Sequence, residues 1–266
     1  MKNLLSKQNR ALLTELVRTD FKLRYQGSAI GYMWSLLRPL LMFAILYVVF
    51  AMVFKVGKDI ENFPIYLLLG IVLWNFFVEM TQQSLGSIVA RGDLIRKIRI
   101  PRWLIIVSVS ISALINLALN LIIVLILATI NHVQFSLSSL FLPLYVVEIY
   151  IFSLGISLIL SALYVKYRDI GYIWEVALQA GFYATPILYP LTLITKAWAQ
   201  KLLMVNPVAQ AIQGARNVFV TNQTITIGNV YNSKYAFLLP VAITLIILAA
   251  GLLFFKKEAP NFAENL

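Results

Sequence analysis

The chain has 266 residues, 61% of them hydrophobic and 12% charged, with a mean hydropathy of +0.84. A soluble domain of that length has no interior large enough for so much apolar surface, and so little charge excludes a disordered chain, a coiled coil or a charge-laced α-solenoid. Lipid is the solvent this composition fits, and at about 20 residues per crossing plus connections the length leaves room for about six membrane helices. The net charge of +11, from 22 Lys and Arg against 11 Asp and Glu, would raise nucleic acid as a partner of a soluble protein. Here membrane topology explains it better. Zero cysteines exclude disulfides and thiolate metal sites, and the single histidine, His132, excludes an all-histidine site within one chain.

Residues 1–35 are too polar to cross a bilayer. Leu5, Leu12, Leu13, Leu16, Val17 and Phe21 recur at helical spacing among basic residues, which predicts an amphipathic helix in the inner interface. The segment lacks the short apolar core and small-residue cleavage site of a signal peptide, so the amino terminus is expected in the cytoplasm. Six spans follow at about 36–54, 63–83, 103–130, 140–164, 172–190 and 235–255, and 256–266 form a tail. The polar cluster from Asn131 to Ser139 divides the long uncharged run after Arg102 into spans three and four. Pro186 and Pro190 mark a break or re-entrant turn at the end of span five.

Charges outside the spans set the direction. Residues 1–38 carry seven Lys or Arg against two acids, and 84–102 carry five against Asp93, which places both segments inside. The 55–62 and 131–139 loops have no net charge and belong outside, with both termini cytoplasmic. The 191–234 segment also falls outside, although Lys196, Lys201, Arg216 and Lys234 have no acid to balance them.

The loop ARGDLIRKIRIPR at 90–102 groups Leu94, Ile95 and Ile98 within an arc of about 100°, with Arg96, Lys97 and Arg99 outside it. That predicts a short surface helix over 91–100, serving either as topogenic charge or as a docking element for a partner subunit; Asp93 lies in its first turn. On the docking reading, the YVKYRDI turn at 164–170, with Tyr167, would supply a second contact from the same side, and Arg168 and Asp169 are available for charged hydrogen bonds. The chain has no G-x-x-x-x-G-K-[ST], so any nucleotide chemistry has to be supplied by another subunit, and no cofactor of its own is expected. Three carboxylates, Glu79, Glu148 and Glu175, fall within or near the bilayer and are expected to face the bundle, a polar cavity or a partner. They do not form a spaced acid pair, and their depths do not suit a proton relay.

Arg38, directly before Pro39, either snorkels to the inner headgroups or projects toward a cytoplasmic pore mouth. Phe182 and Tyr183 precede Thr185 and Pro186 and offer either a stacking surface for a sugar chain or plain helix packing. Tyr47, Trp74 and Tyr189 complete the candidate channel residues, although an interfacial belt alone would account for Tyr189. Asn116 and Asn120, one turn apart, suit helix bonding or a cavity wall.

The segments FKLRYQGSAIGYMWSLLRP at 21–39, FPIYLLLGIVLWNFF at 63–77, GDLIRKIRIPR at 92–102, YRDIGYIWE at 167–175, TPILYP at 185–190 and NPVAQAIQGARN at 206–217 occur in an order that resembles the transmembrane subunits of ABC-2 type exporters of bacterial cell-surface polysaccharides. The likeness spans nearly the whole chain. It implies the all-α fold of that family: six spans, an N-terminal interface helix, and short external re-entrant helices over 191–220 that form a gate. It also implies that 92–100 and Tyr167 to Asp169 contact a separate ATPase, which uses ATP and Mg. Two copies of the chain would join two ATPase copies, in the bacterial inner membrane, to move an undecaprenyl-diphosphate-linked glycan. O antigen is the leading cargo, with capsule, wall teichoic acid or a drug or lipid as alternatives. Arg38 becomes a candidate contact for the lipid diphosphate, and the basic 191–234 segment a candidate surface for anionic lipid or polymer.

Overall fold

The computed structural model describes residues 7–25, 31–57, 60–97 and 101–262, apart from the side chains of 23–25, 32 and 97. Every regular element among them is helical. Helix α1 (Lys7–Tyr25) precedes α2 (Trp34–Tyr47), which continues through a π-helical turn at Val48–Val53. Then come α3 (Phe63–Ala90), the short α4 (Gly92–Lys97), α5 (Trp103–Ile130) and α6 (Leu142–Lys166). The chain goes on through α7 (Ile170–Ala184), α8 (Ala197–Val205), α9 (Pro207–Phe219), α10 (Ile227–Tyr231) and α11 (Leu238–Glu258). Among the described residues, five helices are long and apolar enough to cross a membrane: Trp34–Val53, Phe63–Ala90, Trp103–Ile130, Leu137–Lys166 and Leu238–Asn261. Such helices satisfy their backbone groups internally, which hydrocarbon demands.

Helix α3 is the centre of the bundle. Leu67, Leu69, Leu73 and Met80 are fully buried, with α5 and α6 packed against α3 and α11 packed against α6. The α6–α11 crossing depends on glycine. A Cβ on Gly155 would stand 2.8 Å from the backbone of Ile247 and Leu248, and one on Gly251 would overlap the Gly155 carbonyl. The two backbones therefore touch, as small residues allow between membrane helices. Gly251→Ala is expected to force the helices apart and destabilise the fold by about 1–3 kcal/mol. A thermal unfolding midpoint in detergent that stayed unchanged would show that the crossing tolerates a methyl group.

Helix α2 carries Pro39 in its interior. Proline lacks an N–H, and the carbonyl left without its usual donor belongs to the residue four positions earlier. That residue is Ser35, and Asn120 Nδ2 of α5 donates to its carbonyl at 3.4 Å while also donating to the Asn116 carbonyl at 2.9 Å.

Two spans differ from the boundaries read off the sequence. Helix α3 continues about two turns past residue 83, because its hydroxyls bond back to their own helix: Thr81 donates to the Phe77 carbonyl at 2.8 Å and Ser87 to the Ser84 carbonyl at 2.7 Å. Polar residues that resemble the end of a span are thus interior positions. Helix α7 has 15 residues and stops at Ala184, where Thr185 turns extended before Pro186. At 1.5 Å per residue it is about 22 Å long, against about 30 Å of hydrocarbon.

After α7 the chain folds back through a 3₁₀ turn at Leu191–Leu193, α8 and α9. Asn206 caps α9 by accepting from the Val208 N–H at 3.0 Å, with Pro207 at the first helical position. From Pro207 to Arg216 every residue of α9 is buried, against α3 and α6. The run PVAQAIQGA owes that to its small and apolar side chains, which let a helix be covered on all sides.

Candidate functional site

At one end of the bundle, α4 leaves α3 through Arg91. Its Ile95 is buried in a cluster with Ile88 of α3, Ile105 of α5, Val165 of α6 and Phe255 of α11. Asp93 and Arg96 are exposed on the opposite side, and Leu94 is half-buried. Of the arc read from the sequence, Ile95 is the member that plugs into the ends of four long helices. The arc's third member, Ile98, lies outside the described residues, as does the side chain of Lys97.

Helix α1 is tied to the same place. Asp20 forms an ion pair with Arg91, and Ser108 of α5 bridges the two, at 3.4 Å from Arg91 Nη1 and 3.4 Å from Asp20 Oδ2. Leu16 of α1 is buried. Tyr167, Arg168 and Asp169 are exposed between α6 and α7, with the Arg168 guanidinium 5.2 Å from the Tyr164 ring. Val165 shares the cluster of Ile95, and Gly171 faces Leu85 of α3, so the 167–169 turn and α4 leave the same end of the bundle.

The three carboxylates have three different settings. Glu79 faces the bundle, where it accepts from Gln83 Nε2 at 3.1 Å and from Asn116 Nδ2. Glu175 is exposed on α7. Glu148 lies in the wall of a cavity between α6, α9 and α11.

The candidate channel residues divide as well. Arg38 is exposed on α2, and Tyr47 is half-buried with its ring 5.7 Å from Phe43. Trp74 is buried, with its ring 5.4 Å from Phe77 and 6.1 Å from Phe182, and it lines a cavity together with Phe77, Phe152 and Trp174. Phe182 meets Tyr183 edge-on at 5.4 Å, and Tyr183 is 69% exposed. Tyr189 is half-buried and donates its hydroxyl to the Tyr183 carbonyl at 3.0 Å.

Arg216 requires a correction. Grouped with Lys196, Lys201 and Lys234 as a basic outer surface, it is instead fully buried, while those three lysines are exposed. Its Nε donates to the Tyr66 carbonyl at 2.8 Å, Nη1 to the Pro186 carbonyl at 2.6 Å and Nη2 to the Ile187 carbonyl at 2.6 Å. The guanidinium lies 3.7 Å from the centroid of the Tyr66 ring, and Gln213 Oε1 accepts from both the Tyr66 hydroxyl and Arg216 Nη1. Burial pushes the guanidinium pKa down from its ordinary value, and the Tyr66 side chain opposes that. A Cβ on Gly70 would overlap the guanidinium, so glycine there leaves the room that Arg216 occupies. One side chain thus fastens the first turns of α3, the 185–190 segment and α9. The sequence signal for it was an arginine ending a run of nine small and apolar or amide residues, opposite a glycine in an otherwise bulky span.

A bundle of long apolar helices, with a short helix set into one end of four of them and a buried helix packed against two of them and pinned by an arginine, is the architecture of a membrane permease subunit. The model of the ABC-2 type transporter family matches residues 11–220, and the chain belongs to that family. It is 28% identical to the O-antigen export system permease protein RfbA of Myxococcus xanthus over 260 residues, 97% of this chain and 96% of that one. It is 30% identical to the RfbA protein of Klebsiella pneumoniae over 256 residues, 96% and 95% of the two chains. The polysialic acid transport protein KpsM of Escherichia coli is 25% identical over 199 residues, 74% and 76% of the two.

Proposed function

We propose that this chain is the channel-forming subunit of an ATP-driven exporter that carries an undecaprenyl-diphosphate-linked polysaccharide, O antigen foremost, out of the cytoplasm across the bacterial inner membrane. The observation that carries the reading is α4. Ile95 roots it in the ends of α3, α5, α6 and α11, while Asp93 and Arg96 are exposed, so a push on one short helix reaches four long ones. Full-length likeness to O-antigen export permeases supports the cargo. A cytoplasmic ABC ATPase, in two copies with their ATP and Mg, supplies the push through α4 and the Tyr167–Asp169 turn.

Two copies of the chain form the conduit. Pro39 is the one buried residue of α2 and Leu178 the one buried residue of α7, both helices being fully described, so each presents an apolar face that a second copy and the cargo would cover. Helix α7 with residues 185–190 makes the sixth crossing, both termini are cytoplasmic, and α8 and α9 form the outer gate. Arg38 stands on α2 as a contact for the lipid diphosphate, and Tyr183 offers its ring to the sugar chain.

The test is reconstitution of the full chain with its ATPase in proteoliposomes and measurement of ATP-dependent delivery of polyprenyl-linked glycan. Stimulation of ATP hydrolysis by small amphiphiles, with no response to the glycan, would favour a drug or lipid exporter instead. Tyr183→Ala is expected to lower glycan delivery about three- to tenfold, the value of one aromatic stacking contact, while the dimer stays folded. Loss of the dimer in place of transport would assign Tyr183 to assembly.

A further inference from the structure

We propose that the cavity between α6, α9 and α11 binds the primary ammonium of an ethanolamine phospholipid from the outer leaflet. The cavity is about 370 Å³ and its polar lining includes Glu148, Gln210 and Thr244. Glu148 Oε1, Gln210 Oε1 and Thr244 Oγ1 are all buried, and none of the three has a hydrogen-bond partner among the described residues. Gln210 and Thr244 are 5% and 3% exposed, so their partners have to come from whatever enters the cavity. Buried polar atoms are ordinarily paired, and three unpaired oxygens in the wall of one cavity mark a site for a donor.

The chemistry of that donor follows from the count and the charge. One carboxylate and two unpartnered neutral oxygens, beside Tyr145 and with no Lys or Arg among the lining residues, attract a cation that carries several N–H groups. A primary ammonium has three. A quaternary choline has none, and an anionic glycerol headgroup is opposed by Glu148. Depth and surroundings point to a lipid. Glu148 is six residues into α6 and Thr244 six residues into α11, each about 9 Å along its helix. Gln210 lies one turn before Gln213, which meets Tyr66 in the first turn of α3, so the site is in the outer third of the bundle. Its rim is apolar and exposed at Leu144, Phe237 and Leu245, where acyl chains can lie. Lys234, exposed three residues before Phe237, is placed at the same end for the phosphate. The site is independent of the identity of the exported cargo.

The full-length chain is purified, placed in nanodiscs of defined lipid mixtures, and its retained lipids are counted by native mass spectrometry. Phosphatidylethanolamine is expected to be retained about tenfold over phosphatidylcholine and phosphatidylglycerol, with the mono- and dimethylated ethanolamine lipids in between. Equal retention across that methylation series, or preference for phosphatidylglycerol, overturns the proposal without any mutation. Glu148→Gln keeps the shape of the side chain and is expected to remove most of the preference, and Thr244→Val a smaller part of it. A preference unchanged in folded Glu148→Gln protein also overturns it.

Discussion

Arg216→Ala is expected to leave little folded protein. The substitution strips the donors from the carbonyls of Tyr66, Pro186 and Ile187, all held inside the bundle by one guanidinium. A buried acceptor left without a partner costs about 1–3 kcal/mol, so three of them consume about 3–9 kcal/mol of a native stability of about 5–15 kcal/mol. Arg216→Lys keeps a cation but not the planar fork that spreads three donors toward two segments, and is expected to recover only part of the loss. Gly70→Ala attacks the same place from α3, since its methyl group would overlap the guanidinium. The two effects are coupled, which gives a sharp check by thermal unfolding in detergent. Gly70→Ala should cost about 2 kcal/mol or more with Arg216 present and much less in the partly recovered Arg216→Lys background, which lacks the overlapping guanidinium. Equal costs in both backgrounds would show that Gly70 does not serve to seat Arg216.

Reversing charge on α4, with Arg96→Glu and Lys97→Glu together, is expected to lower ATP-driven export at least tenfold while membrane insertion and unfolding temperature stay at wild-type values. Arg96 is exposed and takes no part in the inner cluster, so its loss does not reach the core. Ile95→Ala provides the contrast. It removes buried methyl groups from the junction of α3, α5, α6 and α11, at about 2–5 kcal/mol, and is expected to lower stability as well as export. Paired measurement of ATP hydrolysis and glycan delivery separates the cases: the charge variant should hydrolyse ATP without delivery. Unchanged export in that variant would remove α4 from the coupling role.

Much of this was legible along the chain. The expected third span, 103–130, coincides with Trp103–Ile130, because that run is uncharged and ends at Arg102 on one side and at the polar residues from Asn131 on the other. Ile95 could be picked out because a surface helix has only a narrow face to bury, and its spacing with Leu94 shows that face. Asn116 and Asn120 stood out as a pair, yet their partners did not. Asn116 reaches Glu79 across to α3, and Asn120 serves the carbonyl that Pro39 leaves open on α2. The last turns of α3 misled in the other direction, since serine and threonine that bond back to their own helix look from composition like the end of a span.

By itself, the sequence determined the solvent, the placement of most of the long helices and the short charged helix between the second and third of them. Each of these depends on hydropathy or charge along the membrane normal, and both quantities are local sums over neighbouring residues. Only the tertiary structure decided where the buried polar groups end. Arg216 and Tyr66 are 150 positions apart, and nothing periodic in either segment states that one will hold the other. The same applies to Gly155 against Gly251, and to the three oxygens of Glu148, Gln210 and Thr244 around one cavity. In hydrocarbon each such group must find its partner from another helix, and that partner is set by how helices cross rather than by the residues beside it.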